Sequence, residues 1–276
     1  MKKSFIVLKY LILSVITFVF IFPIFWLVST SFKNPIDIFA YPPIFIPSTP
    51  TLDHYAVLFG EAEILKYIVN SVVVAVSTTL FALVVGTLSA YALARFQLPY
   101  QLNERLSFWV LSTRMFPPIV TIIPLFAMMR ALHLVNTRIG LVIAYAAFNL
   151  PFVVWMMRGF FVEIPKELEE AAMVDGASRM MAFRRIVLPI AKPGLVATAI
   201  FTMIMSWNEF MFALILSQTR SAATLPIGIA SRVTQYEIQW GPMSAGGVIA
   251  VVPVLVFAFI VQRHLVRGMS FGAIKG

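Results

Sequence analysis

Residues 163–192 read EIPKELEEAAMVDGASRMMAFRRIVLPIAK and lie between two long apolar runs. Ile164-Pro165 suits a helix start, because a proline in the first turn gives up an N–H that would have no partner there. Glu163, Glu167, Glu169 and Glu170 crowd that end and favour the helix dipole. Leu168, Ala171 and Ala172 share a face at i, i+3, i+4 spacing, and Gly176 stops the helix as a C-terminal glycine. Ser178 can cap a second helix whose apolar face includes Met180, Phe183 and Val187, before Pro189 ends it. By pattern alone this helix–turn–helix is either an amphipathic connector at a lipid surface or an element that docks on a partner.

Outward from this stretch the chain is apolar. Of 276 residues 60% are hydrophobic and only 12% charged, whereas soluble domains carry about 25% charged residues. A helix needs about 20 apolar residues to cross a hydrocarbon core of roughly 30 Å. Six runs meet that length: Tyr10 to Phe32, Tyr67 to Ala94, Leu106 to Met129, Ile139 to Met157, Pro193 to Thr219 and Ile238 to Gln262, the last apolar from about Ala245. The fold class is all-α, a polytopic membrane protein with six transmembrane helices. Lys2, Lys3 and Lys9 could open a signal peptide, but no A-x-A site follows before Lys33, so the first run reads as a retained helix.

The net charge of +9 reports topology. With the N-terminus inside, the inner segments carry 14 basic and six acidic residues and the outer ones six and five, which places both termini in the cytoplasm by the positive-inside rule. Six of the 14 inner basic residues lie between Arg158 and Lys192. A nucleic-acid partner has no support. With no cysteine there is no disulfide or thiolate site, and no G-x-x-x-x-G-K-[ST] loop, H-E-x-x-H or G-x-S-x-G elbow occurs. The chain is read as having neither enzyme activity nor a metal site.

Glu170-Ala171-Ala172, three residues, Gly176, nine residues, Ile186, one residue, then Leu188-Pro189 reproduces the EAA signature of ATP-binding-cassette importer permeases. Each of these seven positions matches by chance roughly once in ten to twenty. The chain resembles the maltose-type carbohydrate permeases, and specifically the six-helix partner of a two-permease heterodimer. Arg114-Met115-Phe116-Pro117-Pro118, Ile123-Pro124-Leu125, Asn149-Leu150-Pro151-Phe152, Trp207-Asn208-Glu209-Phe210, Thr224-Leu225-Pro226 and the terminal Gly272-Ala273-Ile274-Lys275-Gly276 extend the likeness.

That resemblance implies a type I importer permease fold in the cytoplasmic (inner) membrane of a prokaryote. It divides the chain into an N-terminal helix with a proline-rich outer loop (1–66), a permease core (67–263) and a cytoplasmic tail (264–276). It further implies four partners: a second permease, an ATPase dimer, an extracytoplasmic solute-binding protein and membrane lipid. ATP and Mg are held by the ATPases, and no cofactor by this chain. Glu170, Ala171, Ala172, Asp175 and Gly176 become the ATPase-coupling contact, and Gly272, Lys275 and Gly276 a C-terminal ATPase contact.

Charges inside a membrane are costly and usually face a bundle interior or an aqueous path. Only Arg114 and Glu209 fall inside the runs. They either line a translocation path or fix helix packing, and Pro117, Pro118 and Pro124 offer breaks in the third run. Trp207 and Asn208 could stack on and hydrogen-bond a sugar, although Trp is also common at membrane interfaces. Asn149, beside Pro151, is expected to break the fourth run and is a further path candidate. The implied cargo is a sugar or sugar derivative. The alternatives are a non-sugar solute or a stand-alone secondary transporter, and the latter prefers midplane carboxylates and two similar halves.

Overall fold

The computed structural model describes residues 2–60, 62–96 and 98–271, and the side chains of all of these except 2–4, 62 and 263–271. The described elements are helical apart from one isolated antiparallel bridge, Val233 to Ile238. The main helices are α1 (Lys2–Ser31), α2 (Ala62–Arg95), α3 (Leu102–Ser112), α4 (Pro118–Ala131), α5 (Arg138–Glu163), α6 (Glu167–Val174), α7 (Arg179–Ile190), α8 (Lys192–Trp207), α9 (Met211–Leu216) and α10 (Trp240–Phe271). Four of them, α1, α2, α5 and α10, are each long and apolar enough to cross a membrane.

The remaining two spans are broken. Pro99–Met115 and Pro118–Ala131 meet at 93°, and Arg179–Ile190 and Lys192–Trp207 meet at 75°. Counting each bent pair as one span gives up to six by length and composition; the first pair overlaps the third run, whereas the second pairs Lys192–Trp207, at the start of the fifth run, with the 179–190 helix that the sequence puts in the loop. The third-run break falls at Phe116-Pro117, both in extended backbone, and the chain re-enters a helix with Pro118 in its first turn. There proline's missing N–H costs nothing.

Two expectations change. Asn149-Pro151 does not break the fourth run, because α5 continues through Pro151 to Glu163. Its neighbours hold the helix where one hydrogen bond is lost. The fifth run is not one helix from Pro193 to Thr219: α8 ends at Trp207, Asn208 to Phe210 turn the chain, and α9 follows.

The chain divides into two compact units, Met1–Lys66 with Ile227–Pro253, and Tyr67–Pro226 with Val254–Gly276. In the first, Phe22 and Trp26 of α1 form an aromatic cluster with Phe45 of the segment that follows. That segment is tied back by Thr51 N donating to Phe32 O (2.9 Å), Asn34 Nδ2 donating to Thr49 O (3.1 Å), and a 2.7 Å contact between His54 Nε2 and Lys33 O. The Lys33 ammonium lies 3.7 Å over the Trp26 ring. Burial lowers its pKa from the ordinary lysine value, and Asp37 opposes that shift.

In the second unit the core joins α2, α5 and α7 through Ala90, Tyr91, Val153, Met157, Phe161, Phe183 and Val187. Away from this core, the buried Asn70 donates to Ser221 O and Ala223 O (3.2 and 2.8 Å) and accepts from Arg138 Nε (2.8 Å). One amide thus fixes the start of α5 and the 221–225 segment against α2.

Candidate functional site

The helix pair α6–α7 forms much as its pattern directs. Gly176 has φ +88°, and its N–H donates to Met173 O (3.1 Å) while Ala177 N–H donates to Ala172 O (2.9 Å). Together these make a complete Schellman ending for α6. Ser178 Oγ accepts from Met181 N (3.3 Å) and caps α7. α7 ends at Ile190, one residue past the expected stop at Pro189, and before that it widens into a π-turn over Phe183–Val187, with Leu188 N–H donating to Phe183 O. The wider turn gives room where a proline ring would otherwise meet the preceding turn. Of the expected apolar face, Phe183 and Val187 are buried, together with Ala182, whereas Met180 is half exposed.

On α6 the buried carboxylate is Glu169. It pairs with Arg95 and accepts from the Tyr91 hydroxyl (2.5 Å). Arg95 Nη2 also donates to Ile164 O (2.9 Å), where α5 ends. The Tyr91 ring packs against Phe161 and Phe183 at centroid distances of 5.8 and 4.5 Å. Arg179 lies over the Phe96 ring at 4.8 Å. Glu170, Ala171, Val174, Asp175 and Gly176 are exposed on the other side, with Ala172 half-buried. Consecutive helical residues are turned by about 100°, so neighbouring glutamates face different ways.

The second candidate is a cavity of about 370 Å³ beside the third-run break. Arg114, Thr121, Ala147, Phe148, Pro151 and Phe212 are among its lining residues. Pro151 leaves the Ala147 carbonyl without its helical donor. The Arg114 guanidinium sits 5.0 and 5.4 Å from the Phe148 and Phe152 rings and 3.7 Å from Met205 Sδ.

The other path candidates separate. Glu209 accepts from Phe212 N (2.9 Å) and Ala213 N (3.2 Å), which makes it the cap of α9. Asn149 is buried and donates to Ser206 Oγ (3.1 Å), joining α5 to α8. Trp207 is buried at the end of α8, and Asn208 is exposed, donating to Ile204 O (3.0 Å). None of these four is among the residues lining the Arg114 cavity. Gly272, Lys275 and Gly276 lie outside the described residues. Tyr91, Arg95 and Glu169 were missed by sequence reasoning; the available signal was Glu169 sharing a face with Ala172 and Met173, one helical step from Glu170.

Residues 82–271 match the family described as binding-protein-dependent transport system inner membrane component. The chain belongs to that family. The trehalose transport system permease protein SugB of Mycobacterium tuberculosis is 38% identical over 92% of this chain and 92% of its own length. The trehalose/maltose transport system permease protein MalG of Thermococcus litoralis is 33% identical over 100% of this chain and 98% of its own. In fold, the permease is similar to a chain from the crystal structure of a bacterial ABC transporter involved in the import of the acidic polysaccharide alginate. That match has a TM-score of 0.81, covers 95% of this chain and 96% of the other, and has 22% sequence identity. The chain is therefore an inner-membrane permease subunit with the ABC importer permease fold, and the resemblance read from the EAA spacing holds.

Proposed function

We propose that this permease moves a sugar or sugar derivative inward, driven by ATP hydrolysed in separate Mg-dependent ATPase subunits, together with a second permease and an external solute-binding protein. The observation that carries the coupling is the outward face of α6. Glu170, Ala171, Asp175 and Gly176 are exposed on a helix whose inner face is anchored, and small side chains let such a helix seat closely in a groove. ATPase closure would push this element and change which end of the helices is open. Carbohydrate as cargo is supported by the relatives that carry trehalose and maltose. Of the path candidates, the Arg114 cavity is the one with room for a solute; Asn149 and Glu209 serve packing and capping.

The test is reconstitution of the complete complex in proteoliposomes with labelled disaccharides. Uptake requires ATP, the ATPases and the binding protein, and it falls on charge reversal at Glu170. Uptake by this chain alone would instead identify a secondary transporter. Calorimetry on the cognate binding protein names the sugar, and binding only of amino acids or peptides refutes the carbohydrate assignment.

A further inference from the structure

We infer that Tyr91, Arg95 and Glu169 form a positioning pin that makes the docking helix α6 and the inner end of the transmembrane helix α2 move as one piece. The inference rests on the coupling role proposed for α6. All three residues are buried, at 6%, 8% and 5% exposure. Tyr91 and Arg95 are one turn apart on α2, and each takes a different oxygen of the same carboxylate: Tyr91 holds Oε2 and Arg95 holds Oε1. With both oxygens held, the carboxylate has little freedom to rotate, and α6 cannot roll on α2 without breaking a charge-assisted bond. The same guanidinium holds the Ile164 carbonyl, so the end of α5 joins the assembly. Arg179 over Phe96 adds a second contact, between the first turn of α7 and the residue following α2.

The two adjacent glutamates thereby divide the work. Glu170 faces outward and Glu169 is held within the fold, so a push received on one side of a two-turn helix is delivered to α2 without slack. An apolar contact at the same place would hold the helices together but would let them slide, because apolar contacts are non-directional. The pin therefore contributes geometry to coupling beyond what it contributes to folding.

The experiment uses the whole reconstituted complex and reads solute transported per ATP hydrolysed, alongside assembly and melting temperature. The main variant is Arg95→Met with Glu169→Leu, which removes both charges together and keeps side-chain volume, so that no buried charge is left alone. The expected result is a complex that assembles, melts somewhat below the parent because the Tyr91 hydroxyl and the Ile164 carbonyl each lose a partner, and transports roughly fivefold less or worse per ATP, with ATP hydrolysis persisting uncoupled. A merely structural pair would lower assembly or melting and leave the ratio intact. An unchanged ratio in assembled complexes overturns the inference. Should the double variant fail to assemble, Tyr91→Phe decides: it frees one carboxylate oxygen, and the ratio falls if the pin acts as described and stays at the parent value if it does not. Glu170→Lys and Gly176→Pro are measured beside these. If they uncouple the complex and the pin variants do not, the pin alone is refuted; if none of them uncouples it, the docking role of α6 falls as well.

Discussion

Gly176 separates two explanations for a small residue at the end of α6, the helix proposed to dock on the ATPase. Its φ is +88°, and an added Cβ would meet nothing within 4 Å inside the chain. Within the permease, therefore, a side chain here costs backbone strain only. Alanine in left-handed backbone costs about 1–2 kcal/mol, whereas asparagine visits that region routinely. Proline fixes φ near −65°, removes the N–H that donates to Met173 O, and so dismantles the α6 ending. If backbone shape governs, transport by the reconstituted complex ranks Gly176, then Gly176→Asn, then Gly176→Ala, then Gly176→Pro. A loss of about 1.4 kcal/mol in the seated conformation of the alanine variant lowers its population about tenfold relative to the displaced one. If the glycine is instead needed because the ATPase approaches too closely for any side chain, the larger asparagine is worse than alanine. Transport rates with ATPase at saturation decide it. Alanine equal to or better than asparagine refutes the backbone argument.

Glu209 caps α9 through both carboxylate oxygens; Glu209→Ala costs about 0.5–2 kcal/mol, read as a lower melting temperature in detergent, and an unchanged melt refutes the capping role. A Cβ on Gly194 would fall 2.4 Å from Phe160 ring carbons. Gly194→Ala accordingly destabilises by about 1–3 kcal/mol through overpacking, and relief by a simultaneous Phe160→Leu substitution checks that the ring is the cause. Val174 is 87% exposed on α6. Val174→Asp leaves the stability of the isolated permease within about 0.5 kcal/mol of parent, read as a nearly unchanged melting temperature, and weakens capture of the ATPase subunit; equal capture shows that this face is not the contact.

Length and hydropathy found the long helices because an uncharged run of 20 or more residues is visible in any window. They did not find the bend at Asn208 to Phe210, since averaging over 193–219 reads straight through it. The clue was Glu209 itself. An acid two residues before the apolar turn Met211–Leu216 can cap its free N–H groups from there, and its charge alone does not reveal that. The opposite error occurred at Asn149 and Pro151, where proline looked like a stop but the packed neighbours carry α5 through. Pro189 marked the end of α7 to within one residue, whereas the π-turn just before it leaves no periodic signal in the sequence. In the docking element, the motif located Glu170, Ala171, Ala172 and Gly176 by spacing. It could not tell Glu169 from the three other glutamates around it, because the choice of the buried one depends on Arg95, 74 residues upstream.

That dependence explains how the α6–α7 pair can be firmly held and still present an exposed face. A short amphipathic helix ordinarily gains its stability by burying an apolar face, which would have used up the leucine, alanine and valine positions of α6. Here Leu168 and Val174 stay exposed and the buried position is an ion pair. Anchoring through Glu169 rather than through the apolar residues leaves those residues free for docking. It also means that anchoring and docking are set by different residues of the same two turns. Substitutions that retune the partner contact at Glu170, Ala171 or Val174 leave the attachment to α2 in place, and those at Glu169 leave the docking surface chemically unaltered.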